Sequence, residues 1–272
     1  MTRVQKRLLR SFWVGSDTLI WSGDLIACAS IVQRGDPLRF RTAMLAPVAQ
    51  RGALFALYAF NVEVSRAPWV TQEALIAEMR LQWWRDALDE IAQGGTVRRH
   101  EVATPLAQAI TPAQAVMLDD LVTARRWDIY RDPFEDAADL TRYIDQTAGH
   151  VMQVAAALLG QAEEAPVRLA ARASGIGAWL RAIPALEAAG RVPLLDGTPA
   201  GVAALAQEGL DALHKARKGR GAVARACTPA LLTATAAEPA LRHAYRHPQA
   251  VISGALPDAG LAFTLRAATA RW

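Results

Sequence analysis

Apolar residues return every three to four positions along most of the chain, and no run alternates apolar with polar residues for long enough to make a strand. Prolines and glycines cut this pattern into segments, at Gly35-Asp36-Pro37, Pro68, Gly94-Gly95, Asp132-Pro133 and Gly160. Apolar stripes of this kind are buried only by laying helix on helix. At 52% hydrophobic and 21% charged residues, the chain can fill a large core and is too apolar for disorder. The expectation is a single all-α domain over residues 1–272, with a basic N-terminal segment at 1–24.

The periodicity predicts helices over Leu25–Gln33, from Asp36-Pro37 onward, over Ala49–Arg66, and from a Thr71 cap to Gln93. The last has a stripe of Ile76, Met79, Trp83 and Ala87, flanked by Leu75, Trp84, Leu88 and Ile91. Helical patterns follow at about 105–110 and 112–130, then from Ala137 to Leu159, where Ala148 and Gly149 leave room for a neighbour. A helix opened by Pro166 runs to about Ala189, and Pro184 inside it predicts a kink. Gly201–Arg217 is helical, and the tail at about 222–272 reads as pieces broken by Pro229, Pro239, Pro248 and Pro257.

Several function classes receive no support. The formal charge of +4 is mild and no nucleic-acid-reading motif occurs, so no nucleic-acid partner is expected. Cys28 and Cys227 lack metal spacing and read as buried thiols of a reducing compartment. No G-x-S-x-G elbow is present, and the basic run at Lys215–Gly221 lacks Walker spacing; it reads as a solvated face, with contact to anionic lipid as the alternative. No uncharged apolar run approaches the roughly 18 residues that a membrane span needs. The basic, amphipathic lead leaves two readings open, a docked segment and a helix touching a membrane. The expected location is the cytoplasm, with peripheral contact at the inner membrane as an added option.

Two segments stand out: Leu57–Trp69, LYAFNVEVSRAPW, and Gly175–Gly190, GIGAWLRAIPALEAAG. With the Tyr143 stretch YIDQTAGHV and GRVPL at Gly190–Leu194, ALYAF at Ala56–Phe60 resembles the squalene/phytoene synthase family, in order from about Arg39 to about Leu195. That resemblance implies an isoprenoid (terpenoid) synthase-like helical bundle around a central cavity. It also implies two acidic boxes whose carboxylates, four apart on one helix face, hold Mg²⁺ against a diphosphate. Here the first box falls on Ser65, Arg66 and Trp69, and the second on Ala182, Ala185 and Leu186; Ala178 takes the asparagine position. Glu63 and Glu187 are near but out of register, and Arg66 is expected to put a fixed cation where the metal sits. AFNVEV at Ala59–Val64, MRLQWWRDAL at Met79–Leu88 and LRAIP at Leu180–Pro184 resemble a divergent branch of the same family over about residues 25–200. That branch includes the mitochondrial assembly factor for respiratory complex I.

The resemblance implies three functions, and the residues keep all three open. The first is a non-catalytic protein aiding assembly of NADH:quinone oxidoreductase, with complex I subunits or assembly intermediates as partners and no cofactor. Its cavity candidates are Tyr58, Asn61, Glu63, Arg80, Tyr143, Arg181 and Arg191, with Glu63 paired to Arg66, Arg80 or Arg181 in place of a metal cluster. The second is a prenyltransferase joining prenyl diphosphates, the one case in which Mg²⁺ is expected. There Arg51, Arg80, Arg181 and Arg191 would hold the diphosphate. The third is a carrier with a prenyl or other lipid between Tyr58, Phe60, Tyr143, Val151 and Trp179.

Overall fold

The computed structural model describes residues 21–130, 132–269 and 271–272. Most of the basic lead expected at 1–24 lies outside the described residues. Helices account for nearly all regular structure; among the described residues the β pairing recorded is one isolated bridge, Ala162 with Val223. In chain order the helices are α1 (Gly23–Gly35), α2 (Pro37–Ala43), α3 (Val48–Arg66), α4 (Ala74–Ala92), α5 (Ala103–Ala109), α6 (Pro112–Ala124) and α7 (Ala137–Ile144). Then come α8 (His150–Leu159), α9 (Glu164–Ala188), α10 (Pro199–Lys218), α11 (Thr228–Arg246), α12 (Gln249–Ile252) and α13 (Gly260–Ala268).

Local chemistry sets many of these ends. Asp36 caps α2 by accepting the Arg39 N–H at 2.9 Å, with Pro37 in the first turn. Thr111 and Gln114 form a reciprocal capping box on α6. Gly94 and Gly190 adopt positive φ, at 67° and 74°, just past α4 and α9, where a left-handed residue ends a helix at low cost.

Four expectations need correction. Thr71 does not cap α4, which starts at Ala74; its hydroxyl accepts the Glu73 N–H at 3.1 Å in the preceding turn. The buried face of α4 is Ala77, Leu81, Trp84, Ala87, Leu88 and Ile91, so Ala87 and the expected flank of Trp84, Leu88 and Ile91 are buried, while Ile76 and Met79 are exposed, Met79 at 63%. The expected stripe lay about one residue round the helix, and a 100° step turns a side chain out of the core. The predicted single helix from Ala137 to Leu159 is interrupted by a π-helical turn at Asp145–Gly149. Finally, Pro229 and Pro239 do not break the tail, because Pro229 sits in the first turn of α11 and the helix continues through Pro239.

α9 runs through the middle, with α10 and α11 against one side and α7, α8 and the π turn against the other. Close approach depends on missing side chains. A Cβ on Gly175 would lie 2.5 Å from Ile144 and 3.0 Å from Ala148, and one on Gly177 would lie 2.6 Å from Ala237. Ala148 therefore does admit a neighbouring helix, as its small size suggests. Leu54 through Phe60 on α3 are all buried, so that helix is core on nearly every face.

Candidate functional site

A cavity of about 400 Å³ opens between α3, α7, α9 and the turn that follows α6. α9 lines one wall with Ala178, Trp179, Ala182, Ala185 and Leu186. Ala178 and Ala185 remain exposed although α9 runs through the bundle, because they face this opening.

The opposite wall is polar. A 3-10 turn at Arg125–Asp128 extends α6 and places both its terminal side chains on the cavity. Arg125 Nη1 donates to the Tyr143 hydroxyl at 2.7 Å and to Asp128 Oδ2 at 3.2 Å. The Tyr143 hydroxyl in turn donates to Asp128, 3.0 Å from Oδ2 and 3.1 Å from Oδ1. Burial pushes the Asp128 carboxyl above the ordinary carboxylate range, against the pull of Arg125 and the Tyr143 hydroxyl. Burial also pushes the Tyr143 phenol up, so it stays protonated and keeps donating. Arg39 joins this wall from α2, held by Asp36 at 2.6 Å and lying 5.8 Å from the Tyr58 ring.

Behind the polar groups stands an aromatic cluster. Trp127 stacks on Phe134 with centroids 4.5 Å apart, and Tyr143 meets Trp179 edge-on at 5.3 Å. Trp179 Nε1 donates to the Pro193 carbonyl at 3.0 Å, which fixes its ring against the cavity. The π turn widens the helix where Thr147 and Ala148 reach the wall; Thr147 Oγ1 donates to the Tyr143 carbonyl at 2.6 Å.

The sequence candidates scatter around this geometry. Asn61, Trp69, Tyr143 and Trp179 line the cavity, as do Ala178, Ala182, Ala185 and Leu186. Ser65 does not; its hydroxyl donates to the Val62 carbonyl at 3.0 Å. Arg66 and Arg80 are exposed, and Glu63 is half-buried. Among the described residues none of these three forms an ion pair, so the expected Glu63 network is absent. Two residues along a helix turn a side chain about 200°, so Glu63 leaves the face that Asn61 presents. Arg66 therefore does not supply the fixed cation of the site; Arg39 and Arg125 do.

Arg181 lies on a neighbouring cavity of about 500 Å³, which shares Arg39, Ala148 and Ala178 with the central one. It donates to the carbonyls of Leu256, at 3.3 Å, and Pro257, and approaches Asp258 at 3.7 Å. Arg191 stacks over Trp69 at 5.2 Å and donates to the Asp128 carbonyl at 2.7 Å, steadying the turn that holds the polar wall. Arg51 binds the Ala46 carbonyl at 2.9 Å. The four arginines offered for a diphosphate are thus not brought together. Tyr58, Phe60 and Val151 are core residues, each at most 1% exposed. Burial pushes the Tyr58 phenol up to about 12. Arg39, Arg125 and Asp128 carry no pattern that marks them in the sequence, since the cluster joins residues from separate helices.

The residues on this cavity do not fit a magnesium cluster. Among the described residues Asp128 is the one carboxylate on the lining, and Arg125 and Tyr143 already occupy it. Two guanidiniums flank the space that a dication would share. Among the described residues no group of three His, Cys, Asp or Glu side chains is placed to hold a metal ion. Cys28 and Cys227 are free and buried.

Comparison with known proteins agrees with this architecture. Residues 32–194 match the family model described as squalene/phytoene synthase. A solved dehydrosqualene synthase superposes with a TM-score of 0.73 at 16% identity, covering 91% of this chain and 95% of that one. A squalene synthase from Alicyclobacillus acidocaldarius gives 0.68 at 16% identity, over 86% and 95%. Among curated proteins, the Drosophila melanogaster homolog of NADH dehydrogenase (ubiquinone) complex I assembly factor 6 is 33% identical over 171 residues, 58% of this chain and 50% of that protein. The Homo sapiens assembly factor 6 is 25% identical over 181 residues, 64% and 54% of the two chains. The chain spans about half the length of the curated relatives it matches.

Proposed function

The chain belongs to the squalene/phytoene synthase family, and from that premise we propose that it is a non-catalytic member that aids assembly of respiratory complex I, the NADH:quinone oxidoreductase. The observation that carries this reading is the α9 wall. Ala182, Ala185 and Leu186 stand where the resemblance puts the acids of a synthase's second box, and the facing wall offers Arg39, Arg125 and an occupied Asp128. Ionising a prenyl diphosphate builds negative charge on the leaving group, and metal ions supply the main stabilisation for it. Arginine forks bind a phosphate, but the four candidates lie apart. Similarity to complex I assembly factor 6 from several animals supports the direction of the proposal. Its partners are then complex I subunits or assembly intermediates, met in the cytoplasm with peripheral contact at the inner membrane.

The test has two arms. Deleting the gene should reduce assembled NADH:quinone oxidoreductase, and complementation should restore it. The purified protein, given farnesyl or geranylgeranyl diphosphate with Mg²⁺, should release no prenyl product. Turnover in the second arm would move the chain to the prenyltransferase reading.

A second reading has its own support. The cavity joins an aromatic and alanine lining to half-buried guanidiniums, which suits a lipid-like ligand with an anionic head, held without chemistry. Native mass spectrometry of the purified protein should then show a co-purifying lipid, lost in Ala182→Trp.

A further inference from the structure

Exposed apolar side chains gather at one end of the bundle. Ile26, Met44, Leu45 and Val48 are 55%, 43%, 47% and 51% exposed. The last three span the turn from α2 into α3, and Ile26 lies in the first turn of α1. The starts of α1 and α3 pack at the same level, since a Cβ on Gly52 would meet Leu25 at 3.2 Å. Single exposed apolar residues need no cause, whereas a group of them marks a contact surface.

The free charge around this ledge has one sign. Between Asp36 and Glu63 the sequence has no acid, while Arg39, Arg41 and Arg51 fall in that stretch. Arg41 is exposed and rests over the Phe263 ring at 4.9 Å. Arg51 donates to the Ala46 carbonyl at 2.9 Å, within the turn itself. The acids that flank the ledge are each held by an arginine, Asp36 by Arg39 at 2.6 Å and Asp24 by Arg99 at 2.9 Å. A second exposed apolar set, Leu75, Ile76 and Met79 on α4, differs in having Glu73 and Glu78 interspersed.

The basic lead joins the described chain at the same end. Trp21 sets its ring edge-on against Phe55 at 5.4 Å, and Phe55 meets Phe40, one turn before Met44, at 5.4 Å. In the sequence before Trp21, Arg3, Lys6, Arg7 and Arg10 recur at i, i+3, i+4 and i+7. Val4, Leu8 and Phe12 form a separate series at i, i+4 and i+8, and Asp17 is the one acid. Cations and apolar residues sorted in this way suit the boundary between water and anionic lipid. A protein partner would need acids set opposite each cation. An anionic bilayer presents them across its whole surface and takes apolar side chains at the same depth.

We propose that this end of the bundle docks on the surface of an anionic bilayer. Ile26, Met44, Leu45 and Val48 enter the headgroup layer, and Arg41 and the cations of the lead meet lipid phosphates. The proposal rests on the peripheral membrane contact offered above, gives it a surface, and holds whether or not the chain aids complex I assembly.

Cosedimentation of the full chain with phosphatidylglycerol vesicles, against phosphatidylcholine vesicles, reads the surface without reference to assembly. Binding to the anionic vesicles is expected, weaker at high salt, with little binding to phosphatidylcholine. Leu45→Glu/Val48→Glu should weaken it about tenfold or more. Leu75→Glu/Met79→Glu, on the other apolar set, should bind like the parent. Leu45→Cys carrying an environment-sensitive dye should shift to the blue with anionic vesicles; the native Cys28 and Cys227 are buried and leave the label to that site. Unfolding curves separate loss of the surface from loss of the fold. Absence of binding to phosphatidylglycerol vesicles overturns the proposal. If Leu45→Glu/Val48→Glu then still lowers assembled NADH:quinone oxidoreductase in cells, the ledge is a protein interface instead. The proposal is also overturned if the ledge variant binds like the parent, or if the α4 variant loses as much.

Discussion

The two walls of the central cavity are built on opposite plans. The α9 wall has small apolar side chains, Ala178, Ala182 and Ala185, and no charge. The facing wall holds Arg39, Arg125, Asp128 and Tyr143 in mutual contact or close by. A metal-using site needs carboxylates on both sides of a shared ion. Here one side has none, and the other has its acid locked to a guanidinium. The contrast teaches that an open cavity can set an uncharged wall against a charged one. With its acid held by a guanidinium, the charged wall suits an anion better than a dication.

The hardest blow to the comparison falls on the polar wall. Arg125→Ala strips Asp128 of its cation in a buried setting and should destabilise the protein by roughly 3–5 kcal/mol. Chemical denaturation measures it. A loss under about 1 kcal/mol would mean that the cluster behaves like a surface ion pair.

Next come two substitutions on α9 that separate its packed face from its open one. Gly177→Ala should cost about 1–3 kcal/mol, because the new methyl meets Ala237 at 2.6 Å, outweighing about 1 kcal/mol of gained helix propensity. Ala182→Leu points into the cavity and should stay within about 1 kcal/mol of the parent while shrinking the space for any ligand. Equal losses from both would show that the cavity is closed in solution.

Two acids that each face arginine should answer pH in opposite senses. Asp128 has its folded pKa raised, so its contribution is fully present below the unfolded value and is lost as pH rises through the folded one. For Glu238, burial acts upward, but Arg217 and Arg242 outweigh it and the pKa is lowered. Its contribution is present above the unfolded value and is lost as pH falls through the folded one. Denaturation midpoints of Asp128→Asn and Glu238→Gln against the parent, followed through the acid range, should diverge with opposite slopes.

The smallest effect is expected at Glu63. Among the described residues it forms no ion pair, so Glu63→Ala should change stability by no more than about 0.5 kcal/mol. A melting shift of several degrees would restore the salt-bridge network that the structure does not contain.

Much of the scaffold was legible because its causes are local. Asp36-Pro37 opened a helix, Gly94 and Gly190 followed two others, the apolar spacing marked α3, and Pro166 marked the start of α9 to within two residues. The errors came where a local rule met a tertiary one. Pro239 reads as a breaker, yet α11 runs through it within a well-buried alanine-rich helix. Met79 fits a helical stripe, yet the face actually buried is set by what α4 packs against. The aromatic and alanine half of the site could be found from order and spacing. The charged half could not.

The sequence alone determined that this chain is helical and that its helices follow in this order. Those properties depend on neighbours a few positions away, within reach of one helical turn. Only the tertiary structure decided that Arg39, Arg125, Asp128 and Tyr143 share one wall, or that Arg191 reaches back across 63 positions to the Asp128 carbonyl. Such meetings depend on how α2, α6, α7 and α9 pack, and no spacing along the chain encodes the direction in which a distant helix will turn its side chains.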